Sequence, residues 1–179
     1  MPERKARYGF PRGPSSRCDV GGELKVLFVC VHNAARSRMA EALLRDLGGP
    51  AFQVTSAGFE PREVNPLVVE ALAEVGLSLP SIAPQPSVFE LFRAGRHFHY
   101  VIGVCDEEHG QKCPLFPGVT QRLYWSFPDP ATFTGNHDEK LALVVQVRDA
   151  IRERLAGWLS TLPDRSTTAR PQAPGNSSS

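Results

Sequence analysis

The stretch VLFVCVHNAARSRMAEALL, Val26 to Leu44, decides how the rest of the chain is read. Its opening residues are continuous, apolar and β-branched, the pattern of a strand buried on both faces. From Ser37 onward Met39, Leu43 and Leu47 recur at helical spacing, with Ala40 and Leu44 beside them, and Gly48-Gly49 closes the run. Between strand and helix lies a short loop that begins at Cys30 and closes on Arg36, with Ser37 just behind. A merely structural cysteine has no need of that setting.

A loop entering a helix N-terminus turns backbone N–H groups inward, and the helix dipole adds positive potential. Val31, His32, Asn33, Ala34, Ala35, Arg36 and Ser37 therefore read as a nest for a tetrahedral oxyanion. Arg36 supplies a planar fork matched to two of the anion's oxygens. The same field stabilises negative sulfur, which makes Cys30 a nucleophile, and Ser37 is placed to donate a hydrogen bond to it. An arbitrary pair of Cys and Arg five residues apart says little. The preceding strand and following helix give this one its meaning.

Working outward, FQVTSAG (Phe52 to Gly58) reads as a second strand. NPLVVEALAEVG then carries Asn65 at the N-cap, Pro66 at the first helical position and Gly76 at the stop. SVFELFRAG is a short helix with a Ser cap, HYVIGV a third strand and QRLYW a fourth. A last helix starts near Asn136, with Glu139 completing a capping box, and Val144, Val147, Ile151, Leu155 and Trp158 line its inner face. Strands alternating with helices predict an α/β fold, a three-layer sandwich in which helices flank a four-stranded parallel sheet. In such sheets ligands bind at the carboxyl ends of the strands, near a switch in strand order. Cys30 and Cys105 both lie at strand ends, so the pattern predicts that they share one edge.

The motif C-x-x-N-x-x-R-S after the first strand resembles the signature of the low-molecular-weight tyrosine phosphatase superfamily. The likeness continues through TSAGFEP, VNPLVVEALAEVGL, HYVIGVCDEE, CPLFPGV and WSFPDPA, about 140 residues in all. Within that superfamily the chain looks most like the arsenate reductases that use thioredoxin. Phosphatase and reductase share the loop, because phosphate and arsenate are near-isosteric. A reductase must also supply two electrons, and CDEEHGQKC offers a further pair of thiols, Cys105 and Cys113. The segment between them is about one residue longer than is common in the family. Phosphatases of this fold carry an aromatic after the Asp-Pro of the acid loop, whereas Ala131 follows Asp129-Pro130 here, as in the reductases.

The resemblance thus implies that Cys30 attacks arsenate while Asp129 acts as general acid. Cys105 and then Cys113 carry the disulfide outward to thioredoxin, and arsenite is released. Arsenic detoxification follows as the role, with a mycothiol and mycoredoxin system as the alternative reductant. Phosphomonoester hydrolysis and a non-catalytic redox or oxyanion sensor are the competing readings. Asn33, Glu41 and Ser56 match positions at which related reductases order the loop or bind a potassium ion. Their acidic fourth position aligns near Gln85, and Glu41 has a plain alternative as the i,i+4 partner of Arg45. Ala35 stands where many relatives carry another cysteine.

Composition limits the remaining classes. The 179 residues are 41% hydrophobic and 22% charged, with 20 Lys+Arg against 19 Asp+Glu, an ordinary globular balance that predicts no bulk attraction to nucleic acid or membrane. No apolar run approaches the ~20 residues of a membrane span. Residues 1–22 are basic and rich in Pro and Gly without an apolar signal core, residues 163–179 are polar and of low complexity, and 23–162 form the domain. Four cysteines without a leader fit a reducing cytoplasm rather than a secreted scaffold, with Cys18 a spare thiol. His97, His99 and His109 fit no standard zinc spacing. A monomer needing no tightly bound cofactor is the expectation.

Overall fold

The computed structural model describes residues 22–105, 114–118 and 120–163. Strand β1 spans Leu24–Cys30, helix α1 Arg36–Gly48 and strand β2 Phe52–Gly58. Helices α2 (Pro66–Ala73) and α3 (Val88–Arg93), strands β3 (Tyr100–Gly103) and β4 (Gln121–Tyr124), and the long helix α4 (His137–Thr161) follow. Short 3-10 turns occupy Gly49–Ala51 and Pro130–Thr132. The expected caps are present. Asn65 Oδ1 accepts from the Leu67 N–H, and Ser87/Glu90 and Asn136/Glu139 each form a reciprocal capping box.

The four strands form one parallel sheet in the order β2-β1-β3-β4. Because β1 is central and fully paired, its side chains alternate between two apolar layers, and this is why its sequence is apolar without interruption. Val26, Phe28 and Cys30 face the larger core with Met39, Leu43, Val68, Leu72, Val144 and Ile151 from α1, α2 and α4. Leu27 and Val29 face the smaller core with Val88, Leu91, Phe98 and Phe116. The predicted three-layer architecture is the observed one.

Strand order reverses at β1. The chain leaves β1 for β2 on one side and later returns to β3 on the other, which opens a crevice at their carboxyl ends. Val104 donates its N–H to the Val29 carbonyl at 2.9 Å, so Cys30 and Cys105 leave the sheet at this crevice. The predicted shared edge is present. The third strand is shorter than HYVIGV suggests, although His99 still donates its N–H to the Lys25 carbonyl at 2.8 Å and receives the Lys25 N–H on Nδ1 at 2.9 Å.

Candidate oxyanion site

The loop from Cys30 to Arg36 is tied down from outside. The carbonyls of Cys30, Val31, His32 and Ala34 accept hydrogen bonds from the N–H groups of Phe59, Glu60, Arg62 and Asn65, respectively, at 2.8–3.3 Å. A trans peptide places its N–H opposite its C=O. With these carbonyls turned out, the N–H groups of Val31, His32, Asn33 and Ala35 are turned inward, as an anion nest requires. The segment after β2 is thus the outer wall of the loop. Gly58 is part of the reason it can approach so closely: a Cβ there would lie 2.9 Å from both the Asn33 nitrogen and the Val31 carbonyl oxygen. Gly58 was not among the residues the sequence singled out, although its place in TSAG at a strand end was a signal.

Asn33 is the one non-glycine residue with positive φ, 49°, among the described residues. Asparagine tolerates this region better than most side chains do. Its Oδ1 accepts from Ser37 Oγ at 2.6 Å, which holds the turn closed. Cys30 is buried at 3% exposure, and its Sγ receives the Asn33 N–H at 3.0 Å and lies 2.9 Å from Ser37 Oγ. The Ser37 hydroxyl has a single proton and two neighbours, Cys30 Sγ and Asn33 Oδ1. An ionised sulfur would compete for it.

Arg36 opens α1 and is itself buried, with only 6% of its side chain exposed. Its guanidinium donates to Asp129 Oδ2 at 2.7 Å and to the Phe127 carbonyl at 3.1 Å. Asp129 turns its other oxygen to the Ala131 N–H at 3.0 Å, and Pro130–Thr132 forms the turn behind it. The residues proposed as anion clamp and general acid are therefore in direct contact, 93 positions apart in the chain. Phe127 and Phe133, the aromatics flanking Asp129-Pro130, pack against the larger core. Cys105, 2% exposed, belongs to the same buried cluster as Cys30. Cys113, His109 and Cys18 lie outside the described residues.

Below the loop sits a second polar cluster. Glu41 Oε2 accepts from Arg38 Nη1 at 3.2 Å and from the Ser56 hydroxyl, while its Oε1 accepts from Arg45 Nη2 at 2.7 Å. Arg38 also donates to the Ser81 carbonyl and is wholly buried. Burial holds its guanidinium below the ordinary arginine value, Glu41 pulls it back up, and Arg45 adds to the lowering. The expected Glu41–Arg45 pair is present, joined by Ser56, which the resemblance grouped with Glu41, and by Arg38, which the sequence did not suggest. Gln85 lies away from this cluster's hydrogen bonds, its amide nitrogen donating to the Ala83 carbonyl at 3.3 Å.

Concavity alone would point elsewhere. A groove of about 600 Å³ between β4 and α4 is lined by Leu123, Trp125, Phe127, Arg154 and Trp158. It presents mainly aromatic surface and no cysteine. Among the described residues no three His, Cys, Asp or Glu side chains are grouped so as to hold a metal ion.

With this geometry in place, residues 25–168 match the family described as low molecular weight phosphotyrosine protein phosphatase. The chain belongs to that family. The arsenate reductase of Bacillus subtilis (strain 168) is 35% identical over 136 residues, which cover 76% of this chain and 95% of the relative. A solved structure described as an arsenate reductase in the phosphate binding state has a TM-score of 0.62 at 26% identity, covering 78% of this chain and 99% of that one. The thioredoxin-dependent arsenate reductase of Corynebacterium glutamicum has a TM-score of 0.57 at 33% identity, covering 79% of this chain and 65% of that one. A tyrosine phosphatase of Erwinia amylovora shares the fold, with a TM-score of 0.61 at 18% identity, covering 78% of this chain and 93% of that one. The family's loop is thus found here in a chain whose curated relatives are named arsenate reductases. Among the described residues no helix is long and apolar enough to cross a membrane.

Proposed function

We propose that the chain reduces arsenate to arsenite in the cytoplasm, with thioredoxin as its reductant. The observation that carries this reading is the second buried thiol, Cys105, two residues past the end of β3, which lies beside the strand that ends in Cys30. Hydrolysis of a phosphoester needs one nucleophilic sulfur. Two-electron reduction needs a second one within reach of the first.

In the proposed sequence arsenate enters the loop and competes with Asp129 for the Arg36 fork. The inward N–H groups and Arg36 hold its oxygens, and the Cys30 thiolate attacks arsenic. The departing oxygen takes a proton from Asp129 and leaves as water, which gives a Cys30–arsenate thioester. The Cys105 thiolate then attacks Cys30 Sγ. The S–As bond breaks, its electron pair stays on arsenic, and arsenite departs as As(III) while the two sulfurs are oxidised to a disulfide. Cys113 displaces Cys30 from Cys105, and thioredoxin reduces the resulting Cys105–Cys113 pair. Ser37 donates to Cys30 Sγ whenever that sulfur is the leaving or attacking thiolate.

A coupled assay tests the reading. Protein, thioredoxin, thioredoxin reductase and NADPH are mixed, then given arsenate or, separately, p-nitrophenyl phosphate. Arsenate-dependent loss of NADPH is expected. Release of nitrophenol without such loss would make the chain a phosphatase, and neither signal would make it a sensor.

A further inference from the structure

The polar cluster under the loop answers a question that the resemblance raised. Asn33, Glu41 and Ser56 match positions where related reductases order the loop or hold a potassium ion. A cation site needs free oxygen ligands and a net negative surrounding. Here both Glu41 oxygens are already engaged, by Arg38 and Ser56 on one and by Arg45 on the other. Asn33 Oδ1 is committed to Ser37. The two guanidinium groups against one carboxylate leave the cluster with a net positive charge before any ion arrives. The buried side-chain nitrogens left without a hydrogen-bond partner among the described residues are Asn33 Nδ2 and Arg38 Nε. Both are donors. They call for an acceptor, and a metal cation would only repel them. The donor set does not fit potassium.

We propose that Arg38 is this chain's resident cation, a positioning residue that occupies the electrostatic role of a monovalent metal ion and renders the oxyanion loop independent of potassium. Arg38 is suited to it by placement. It lies two residues after Arg36 in the first turn of α1, and reaches both Glu41 on the same helix and the Ser81 carbonyl on the segment after α2. Through Glu41 it also engages Ser56 on β2, the strand whose end, Gly58, backs the loop. One covalently held charge thus joins the three segments that surround the loop, and none of this depends on which reaction the loop performs.

The test is thermal unfolding of the full chain in KCl, NaCl and tetramethylammonium chloride at equal ionic strength. The wild-type midpoints should coincide. Arg38→Gln should unfold roughly 10 °C lower, since it removes one member of a buried pair. Potassium should restore part of that loss where sodium and tetramethylammonium do not. Arg38→Lys, which keeps the charge, should fall well short of the Gln variant's loss. In the loop's own reaction Arg38→Gln should raise the KM for the oxyanion more than it lowers kcat, and potassium should reverse the change in KM. A potassium-specific rise in the wild-type midpoint overturns the proposal, even if Arg38→Gln cannot be purified folded. So does a folded Arg38→Gln that potassium stabilises no better than sodium.

Discussion

Arg36 and Arg38 stand two residues apart in one helical turn, both buried, and their side chains serve opposite ends of the problem. Arg36 reaches up to the acid loop, where its partner Asp129 is 35% exposed and could exchange the contact for an incoming oxyanion. Arg38 reaches down to Glu41, 4% exposed, in a pair that nothing from solvent can readily enter. In the proposed reaction Arg36 binds and releases the oxyanion, and its carboxylate partner is one that water can reach. A charge that must stay is sealed beneath it. The difference lies in the accessibility of the partner, since both guanidiniums are equally hidden by sequence and nearly so by burial.

The comparison predicts that the two positions fail differently. Arg36→Lys keeps the charge but loses the fork, so kcat/KM for arsenate should fall by roughly 10²–10³-fold with the unfolding midpoint nearly unchanged; the pairing of a steady-state assay with thermal unfolding checks both. A large drop in midpoint would mean that Arg36 is as structural as its neighbour. Glu41→Gln should reverse that pattern. It strands the buried Arg38 and should cost about 3 kcal/mol of stability, read from urea unfolding. Arg45→Ala removes the other charged partner of Glu41, but Arg45 is 46% exposed, so the loss should stay within about 1 kcal/mol. Equal losses at Arg45 and Glu41 would show that burial does not set the hierarchy.

Much of this was written locally in the chain, and local rules read it. The β1 strand, the Cys30–Ser37 loop and the caps of α2, α3 and α4 each depend on residues within a few positions of one another, and each is present as expected. The Cys30–Cys105 edge was legible too, because strand ends in a parallel sheet gather on one side. What escaped was set by distance along the chain. Nothing near Arg36 tells of Asp129's carboxylate on its fork, 93 residues on, and nothing near Arg38 tells of the Ser81 carbonyl. Arg38 and Arg148 would pass for solvent-facing charges in a helical pattern. Both are buried because carbonyls on distant segments receive them, Arg148 meeting the Ala71 carbonyl at 2.6 Å. Gly58 was readable as a strand-end glycine but not as the wall of the loop, since that role depends on how the following backbone folds back.

The proposed reaction requires Cys30 and Cys105 to act as one redox pair across the β1–β3 crevice. The most direct measurement treats Cys113→Ser with excess arsenate in the absence of thioredoxin, quenches with an alkylating agent and maps the peptides by mass spectrometry. A Cys30–Cys105 disulfide and about one arsenite per chain are the predicted result, in keeping with the two-electron stoichiometry of a single thiol pair. Arsenite formed without that crosslink, with Cys105 recovered fully alkylated, would contradict it.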